Sequence, residues 1–385
     1  MRWIATTACA TCGAALLAAA HAMDFAWFER HVLLPSFYPW APAWVPGDVR
    51  AGVAIAGAAL VAAAWPVGWA LGRATLVGVA RIGLALLLAV GVSEVLLRRG
   101  AGVTAKWRAP KLEFRIGRLD PVFGWVLRPS RATPVGPPEH RVTFAVDEWG
   151  DRAARPGGAP DPEQRSLVVA GESIAVGHGV EYGQTFAALL GKDLGLQVVN
   201  TGCGGYGSDQ ALLRLRDVLG RLRRPVAVVM TFVPVMLQRS RQDYRPRLVL
   251  GGGKLQFVPP ADGLFARLRV RDLVVNEMPW LSDGALREAT RLNAAVLRES
   301  ARAARERGAE PLFVAFSIGP RRTLAEHPEG ALLRELFDEQ GLPYVLIDIA
   351  PDELLPWDGH PGPAAHVRIA RAVEAALRPR LTRAQ

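Results

Sequence analysis

This sequence predicts an α/β fold, a parallel sheet covered by helices on both faces, with a membrane segment in front of it. Three observations lead there. Beyond residue 165, short apolar runs alternate with stretches of helical period. Such alternation makes βαβ units, whose strands lie parallel and are buried on both sides. Before residue 100, by contrast, the apolar residues gather into long runs nearly free of charge. At 385 residues, 50% of them hydrophobic, the chain has room for both parts.

Taking the elements in order, residues 3–23 follow Arg2 and end in Ala20-His21-Ala22, which suits either a membrane anchor or a cleavable secretory signal. Residues 51–71 carry no charge and reach the ~20 residues needed to cross a hydrocarbon core. Residues 75–97 are nearly as apolar, with Arg81 and Glu94 toward the ends, where a long side chain can snorkel to the interface. Joined through Gly72-Arg73-Ala74, the two runs read as a helical hairpin. Anchor and signal alike put everything beyond Arg98 outside the cytoplasm. Against this, Arg98, Arg99, Lys106, Arg108 and Lys111 crowd a flank that the positive-inside rule assigns to the cytoplasm, a rule that large translocated domains override.

The net charge of +10 comes almost wholly from arginine. It is spread along helical stretches such as 287–307 without interleaved aromatics, which argues against a nucleic acid partner. Anionic lipid, an acidic polymer or a solvated surface suits that distribution. Cys9 and Cys12 form a C-x-x-C inside the first apolar run with no second pair, and Cys203 stands alone. No zinc site and no disulfide framework follows, and neither metal nor cofactor is expected.

Residues 101–165 are rich in Pro, Gly and Arg, with strand-like pieces such as 141–146, and read as a linker with small β additions. From there the order is strand 167–170, helix from Thr185, strand 197–200, helix from Ser208 and strand 226–232. A long helix 284–307, strand 312–317, helix from Gly330, strand 344–347 and helix from Pro363 complete it. Residues 247–257, with Gly251-Gly252-Gly253 at the centre, read as an inserted hairpin. The division is a membrane segment over 1–100, a linker over 101–165 and an α/β domain over 166–385.

The strand at 167–170 runs into Gly171-Glu172-Ser173. In open α/β sheets ligands collect beyond the carboxyl ends of the strands, and Ser173 lies just past one. A serine there can act as a nucleophile if a histidine takes its proton and a carboxylate orients that histidine. Asp358 and His360, in the loop PWDGHPGP after strand 344–347, belong at the same edge. Asp358 can reach back to one ring nitrogen and leave the other facing Ser173. Each piece alone has a plainer reading, since serine at a strand end commonly caps a helix and Asp-Gly is a turn dipeptide. Their common rim is what favours chemistry. His178 reads as a partly exposed surface histidine. Gly202-x-Gly204-x-x-Gly207 has the dinucleotide spacing, but the next strand lacks the acidic residue that holds a ribose. A nucleophile elbow fails as well, because it needs glycine at Ala175.

With Gly171-Glu172-Ser173, Gly205 and Asp358-Gly359-His360 in this order, the chain resembles the SGNH (GDSL-type) hydrolases, in the bacterial branch with N-terminal membrane helices. The likeness runs from about Asp120 to the C-terminus. LDPVFGWVLRPS and VDEWGDRA resemble that branch's leader, GESIAVG its G-D-S-x-x-x-G, and VVNTGCGGYGSDQ its second block; His366 follows the terminal block. The resemblance implies a flavodoxin-like three-layer sandwich with Ser173 as nucleophile, His360 as general base and Asp358 as its orienter. It also implies an oxyanion hole made by the Ser173 and Gly205 N–H groups, joined in the family by an asparagine side chain.

Two departures stand out. Glu172 replaces the family's Asp, keeping the charge with one more methylene. TFVPVMLQRS carries Val235 or Met236 where the third block has its Asn, so one donor is absent unless Gln238 or a backbone N–H serves. Losing such a donor costs about 10²–10³ in turnover. The sequence therefore leads to a membrane-anchored serine esterase or acyl-transfer enzyme, facing outward from a bacterial inner membrane, whose substrate is an ester-bearing glycan or lipid of the cell surface. The alternative is a carbohydrate-binding or assembly protein that keeps the pocket without the chemistry.

Overall fold

The structure is a computed structural model that describes residues 2–34, 44–72, 76–99, 116–276, 280–318 and 328–383. Arg73, Ala74, Lys106, Arg108 and Lys111, which entered the hairpin and flank expectations, lie outside the described residues.

The strands in chain order are β1 (Gly117–Asp120), β2 (Gly124–Leu127), β3 (Ala132–Val135), β4 (Val142–Val146), β5 (Arg152–Ala153) and β6 (Ser166–Ala170). They continue with β7 (Gln197–Asn200), β8 (Pro225–Phe232), β9 (Arg247–Gly251), β10 (Lys254–Val258), β11 (Glu310–Ile318) and β12 (Tyr344–Ile349). Eight of them form one sheet in the order β12-β11-β8-β6-β7-β5-β4-β3. Its core, β7-β6-β8-β11-β12, is parallel. Counted in chain order these strands run second, first, third, fourth, fifth, the flavodoxin-like order, and the sequence reverses direction at β6 and β8. That switch point is where open sheets bind ligands. β3, β4 and β5 extend the sheet antiparallel beyond β7, so part of the β structure before residue 166 belongs to the main sheet, while β1 and β2 pair with each other in a separate two-stranded sheet.

Burial explains the run of β-branched and aliphatic residues. Every residue of β6 is buried. Leu167 and Val169 pack in one cluster with Phe186, Leu190, Ile369 and Val373. Val168 and Ala170 pack in another with Leu215, Val218, Leu219 and Ala304. The first set meets helices Phe186–Leu194 and Pro363–Arg383, the second Ser208–Arg221 and Asp283–Glu306, which gives three layers. Each fully buried aliphatic side chain contributes about 1.5–3 kcal/mol.

Three N-terminal helices are long and apolar enough to cross a membrane: α1 (Arg2–Ala22), α2 (Trp44–Gly72) and α3 (Leu76–Arg99). Among the described residues, the helix packed along α2 is α1. Small residues decide this. A Cβ on Gly13 would fall 2.7 Å from the Gly57 carbonyl oxygen, and one on Gly57 would fall 2.8 Å from that of Gly13. Such close backbone approach is how helices associate where lipid leaves no hydrophobic driving force. Cys9, in the same contact, donates its thiol to the Leu60 carbonyl. At the far ends of α1 and α3 the chain meets the α/β part. His31 and Leu281 exchange backbone and side-chain hydrogen bonds, and Glu94 accepts from the Val270 N–H.

Candidate active site

The serine turn is shaped by one glycine and one carboxylate. Gly171 sits at φ +152, and a Cβ there would lie 1.9 Å from Thr231 Oγ1, so no other residue fits. Glu172, wholly buried, caps the four-residue helix α4 (Ser173–Val176), accepting from the Ile174 N–H at 2.6 Å. Its carboxylate also lies 2.9 Å from Ser173 Oγ and 3.3 Å from Thr231 Oγ1. The longer side chain at this position thus becomes an internal brace of the turn. Gly177, at φ +72, ends the helix in the left-handed region.

The loop after β7 is bound to this turn from the side. Asn200 donates to the Ala175 carbonyl at 2.8 Å and accepts from the Gly202 N–H at 3.0 Å. Cys203 donates its N–H to the Gly171 carbonyl, and a Cβ on Gly202 would meet the Val176 nitrogen at 2.6 Å. Gly205 is at φ +76 with its carbonyl taken by Arg245 Nη1 at 2.7 Å. Among the described residues, the N–H groups of Ser173 and Gly205 have no hydrogen-bond partner. The glycine fingerprint serves this packing. Behind it the buried Asp209 carboxylate occupies the start of helix Ser208–Arg221, bonded to the Gln210 and Leu248 N–H groups, which disfavours a phosphate there.

The third piece is the loop after β12. It closes on itself through Leu354 and Pro361, and Leu355 donates its N–H to the His360 carbonyl at 2.6 Å. Gly359, at φ +75, lets the chain turn between Asp358 and His360. Asp358 Oδ1 lies 2.5 Å from His360 Nδ1 and accepts from the His360 N–H at 2.9 Å. His360 Nε2 lies 2.8 Å from Ser173 Oγ. The structure therefore brings Ser173, His360 and Asp358 into one hydrogen-bonded line at the switch point. The single Ser173 hydroxyl proton has two acceptors in reach, His360 Nε2 and Glu172 Oε2, and can rest on one at a time.

His178 is partly exposed, as expected from sequence, but it is also drawn into the site. Its Nε2 lies 2.7 Å from Asp358 Oδ2, and its ring stacks on His360 with centroids 4.5 Å apart. The side chains of His178 and Asp358 are only 16% and 21% exposed. Burial pushes the Asp358 carboxyl up, but hydrogen bonds from both histidines and their charge outweigh it and hold the group well below the usual carboxylate range. The ligand atoms of His178, Asp358 and His360 lie within 4.8 Å of one another, close enough to share a divalent cation, although the hydrogen bonds just described already employ them. The only signal that could have found His178 was its position directly after the turn glycine.

His366 plays a different part. It is fully buried in helix Pro363–Arg383, accepts the Phe186 N–H at Nδ1, and is driven down to about pKa 3 by burial and by the neighbouring His360. At the end of β8, Val235 and Met236 are buried apolar side chains. Gln238 lines a cavity of about 250 Å³ with Arg241, Gln242, Asn276 and Trp280.

No protein-family model matches the sequence, and no curated protein matches it. Solved structures do. Similar chains include an acetyl xylan esterase (Est2A) from the rumen bacterium Butyrivibrio proteoclasticus, at 12% identity over 58% of this chain and 66% of that one, TM-score 0.35. This chain thus spans just under two thirds of that esterase's length. A family two carbohydrate esterase from Clostridium thermocellum, in complex with cellohexaose, aligns at 13% identity over 58% and 67% of the two chains, TM-score 0.35. AlinE4, an SGNH-hydrolase family esterase, aligns at 16% identity over 58% and 99%, TM-score 0.31. In its strand order the fold is flavodoxin-like, with the serine turn seated at the carboxyl end of β6. What the site does has to be argued from its own atoms.

Proposed function

We propose that this protein is a membrane-anchored serine esterase or acyl-transfer enzyme that acts on O-acyl esters of a cell-surface polysaccharide or lipid. One observation carries the reading: the Ser173–His360–Asp358 line, with contacts of 2.8 and 2.5 Å, at the switch point of a parallel sheet. His360 Nε2 takes the Ser173 proton as Oγ attacks the ester carbonyl carbon. Asp358 holds the other ring nitrogen and stabilises the imidazolium that forms. The free N–H groups of Ser173 and Gly205 receive the carbonyl oxygen as it becomes an oxyanion. When the tetrahedral adduct collapses, the C–O bond to the alcohol breaks and His360 returns the proton to the leaving oxygen. Water or a sugar hydroxyl then attacks the acyl-Ser173 ester, with His360 again as base.

The membrane assignment is supported by α1, α2 and α3, and the fit of Gly13 against Gly57 favours α1 as a retained anchor over a cleaved signal. On this reading the N-terminus is cytoplasmic and the three candidate spans carry the chain across a bacterial inner membrane, so that the site faces outward. A fluorophosphonate probe is the direct test. It is expected to label wild-type protein and not Ser173→Ala; wild type that stays unlabelled while folded ends the hydrolase reading.

The apolar Val235 and Met236 favour a second reading, a glycan-binding or assembly protein with weakened chemistry. That reading wins if Ser173→Ala leaves the cellular role intact.

A further inference from the structure

We propose that His178 is a positioning residue for this reaction, the group that fixes Asp358 and thereby holds His360 in line with Ser173. The inference rests on the esterase reading above and adds a fourth side chain to it.

Asp358 alone is a soft support. It shares a short loop with His360, two residues away across Gly359, and rotation of a carboxylate about its terminal bond is broad. One oxygen is occupied by His360, through Nδ1 and the backbone N–H. The other is met by His178 Nε2 at 2.7 Å. With both oxygens engaged in a partly buried setting, the carboxylate has one orientation, and charge-assisted hydrogen bonds of this kind are about twice as strong as neutral ones.

His178 is itself rigidly mounted. Its N–H donates to the Ser173 carbonyl at 3.0 Å, so the brace of the base is fixed to the backbone of the nucleophile. Gly179, at φ +78, brings this turn against the other loop, where a Cβ would meet Leu355 Cδ1 at 2.4 Å. Just beyond, the buried Arg152 clamps the Val180 carbonyl with Nη2 at 3.1 Å. Two loops far apart in sequence are thus joined by this N–H···O contact of His178 with Asp358 as well as by the His360–Ser173 contact. In this arrangement His178 Nε2 donates to the Asp358 carboxylate.

The test uses full-length protein in detergent or nanodiscs, with p-nitrophenyl acetate hydrolysis and fluorophosphonate labelling, both expressed per titratable site so that a partly folded variant still reports. His178→Phe keeps a ring against His360 and has no donor. His178→Gln returns an N–H near the place of Nε2 without the ring. We expect His178→Phe to lower kcat and the labelling rate about 10–100-fold with KM nearly unchanged, and His178→Gln to recover to within about fivefold of wild type. Wild-type rates in His178→Phe, a change in KM alone, or equal losses in both variants would overturn the assignment. Ser173→Ala run alongside separates the two claims. If it is inert while His178→Phe is normal, only His178 falls; if it hydrolyses the ester like wild type, the esterase reading falls and His178 with it.

Discussion

On one side of the Ser173 hydroxyl stand His360, Asp358 and His178, joined by contacts of 2.5 to 2.8 Å. At the end of the neighbouring strand β8, where the resemblance calls for an amide side chain, stand the buried Val235 and Met236. Proton handling is built from side chains with a second tier of support. In the proposed mechanism, charge reception falls to two backbone N–H groups, of Ser173 and Gly205. If the proposed mechanism holds, the difference teaches that a site can keep its proton-handling side chains while losing an oxyanion donor, because the segment after β8 is separate from the serine turn and the Asp358–His360 loop.

The largest expected effect breaks the first half. Asp358→Asn removes the anion that holds the His360 tautomer and should lower kcat about 10⁴-fold, read in steady-state ester hydrolysis. Next comes His366, the histidine behind the network that must not take a proton. Its folded pKa of about 3 lies below the ordinary 6.5, so the unfolded chain binds a proton that the folded one refuses. Stability should therefore fall as pH drops from 6.5 toward 3, by a few kcal/mol across that window, and the fall should flatten in His366→Gln, as urea melts at each pH would read.

Gly171→Ala tests the turn that both halves share. The strained φ and the clash with Thr231 predict a loss of about 2–4 kcal/mol in the same melts. The smallest effect sharpens the comparison from the other side. If the thin oxyanion side limits turnover, Val235→Asn or Met236→Asn should raise kcat about tenfold in at least one variant, at some cost in stability for a buried amide. No gain in either would mean that the backbone donors suffice.

Much of this was legible in the residues. The strands expected at 167–170, 197–200, 226–232, 312–317 and 344–347 all form, with ends shifted by at most two residues. Their apolar runs and the capping residues between them act locally: Thr185 Oγ1, for example, accepts the Ala188 N–H at the start of its helix. The Gly-Glu-Ser turn and the Asp-Gly-His loop could be placed on one rim because a parallel sheet puts every strand's carboxyl end at the same edge. The role of Glu172 was harder to see, since a buried brace and an exposed carboxylate look alike in sequence. The packing of α1 along α2 was hard to see for a similar reason. Chain adjacency suggested α3, while the fit of Gly13 against Gly57 depends on backbone surfaces that no hydropathy pattern records.

By itself, then, the sequence determined the alternation of strand and helix, the apolar spans, and the two loops that carry serine and histidine, because each is set by residues within a turn or two of one another. Only the tertiary structure decided that His178 belongs to Asp358 and that α1 lies along α2. Both are contacts between distant stretches, where a few tenths of an ångström of packing select the partner and the local pattern is the same either way.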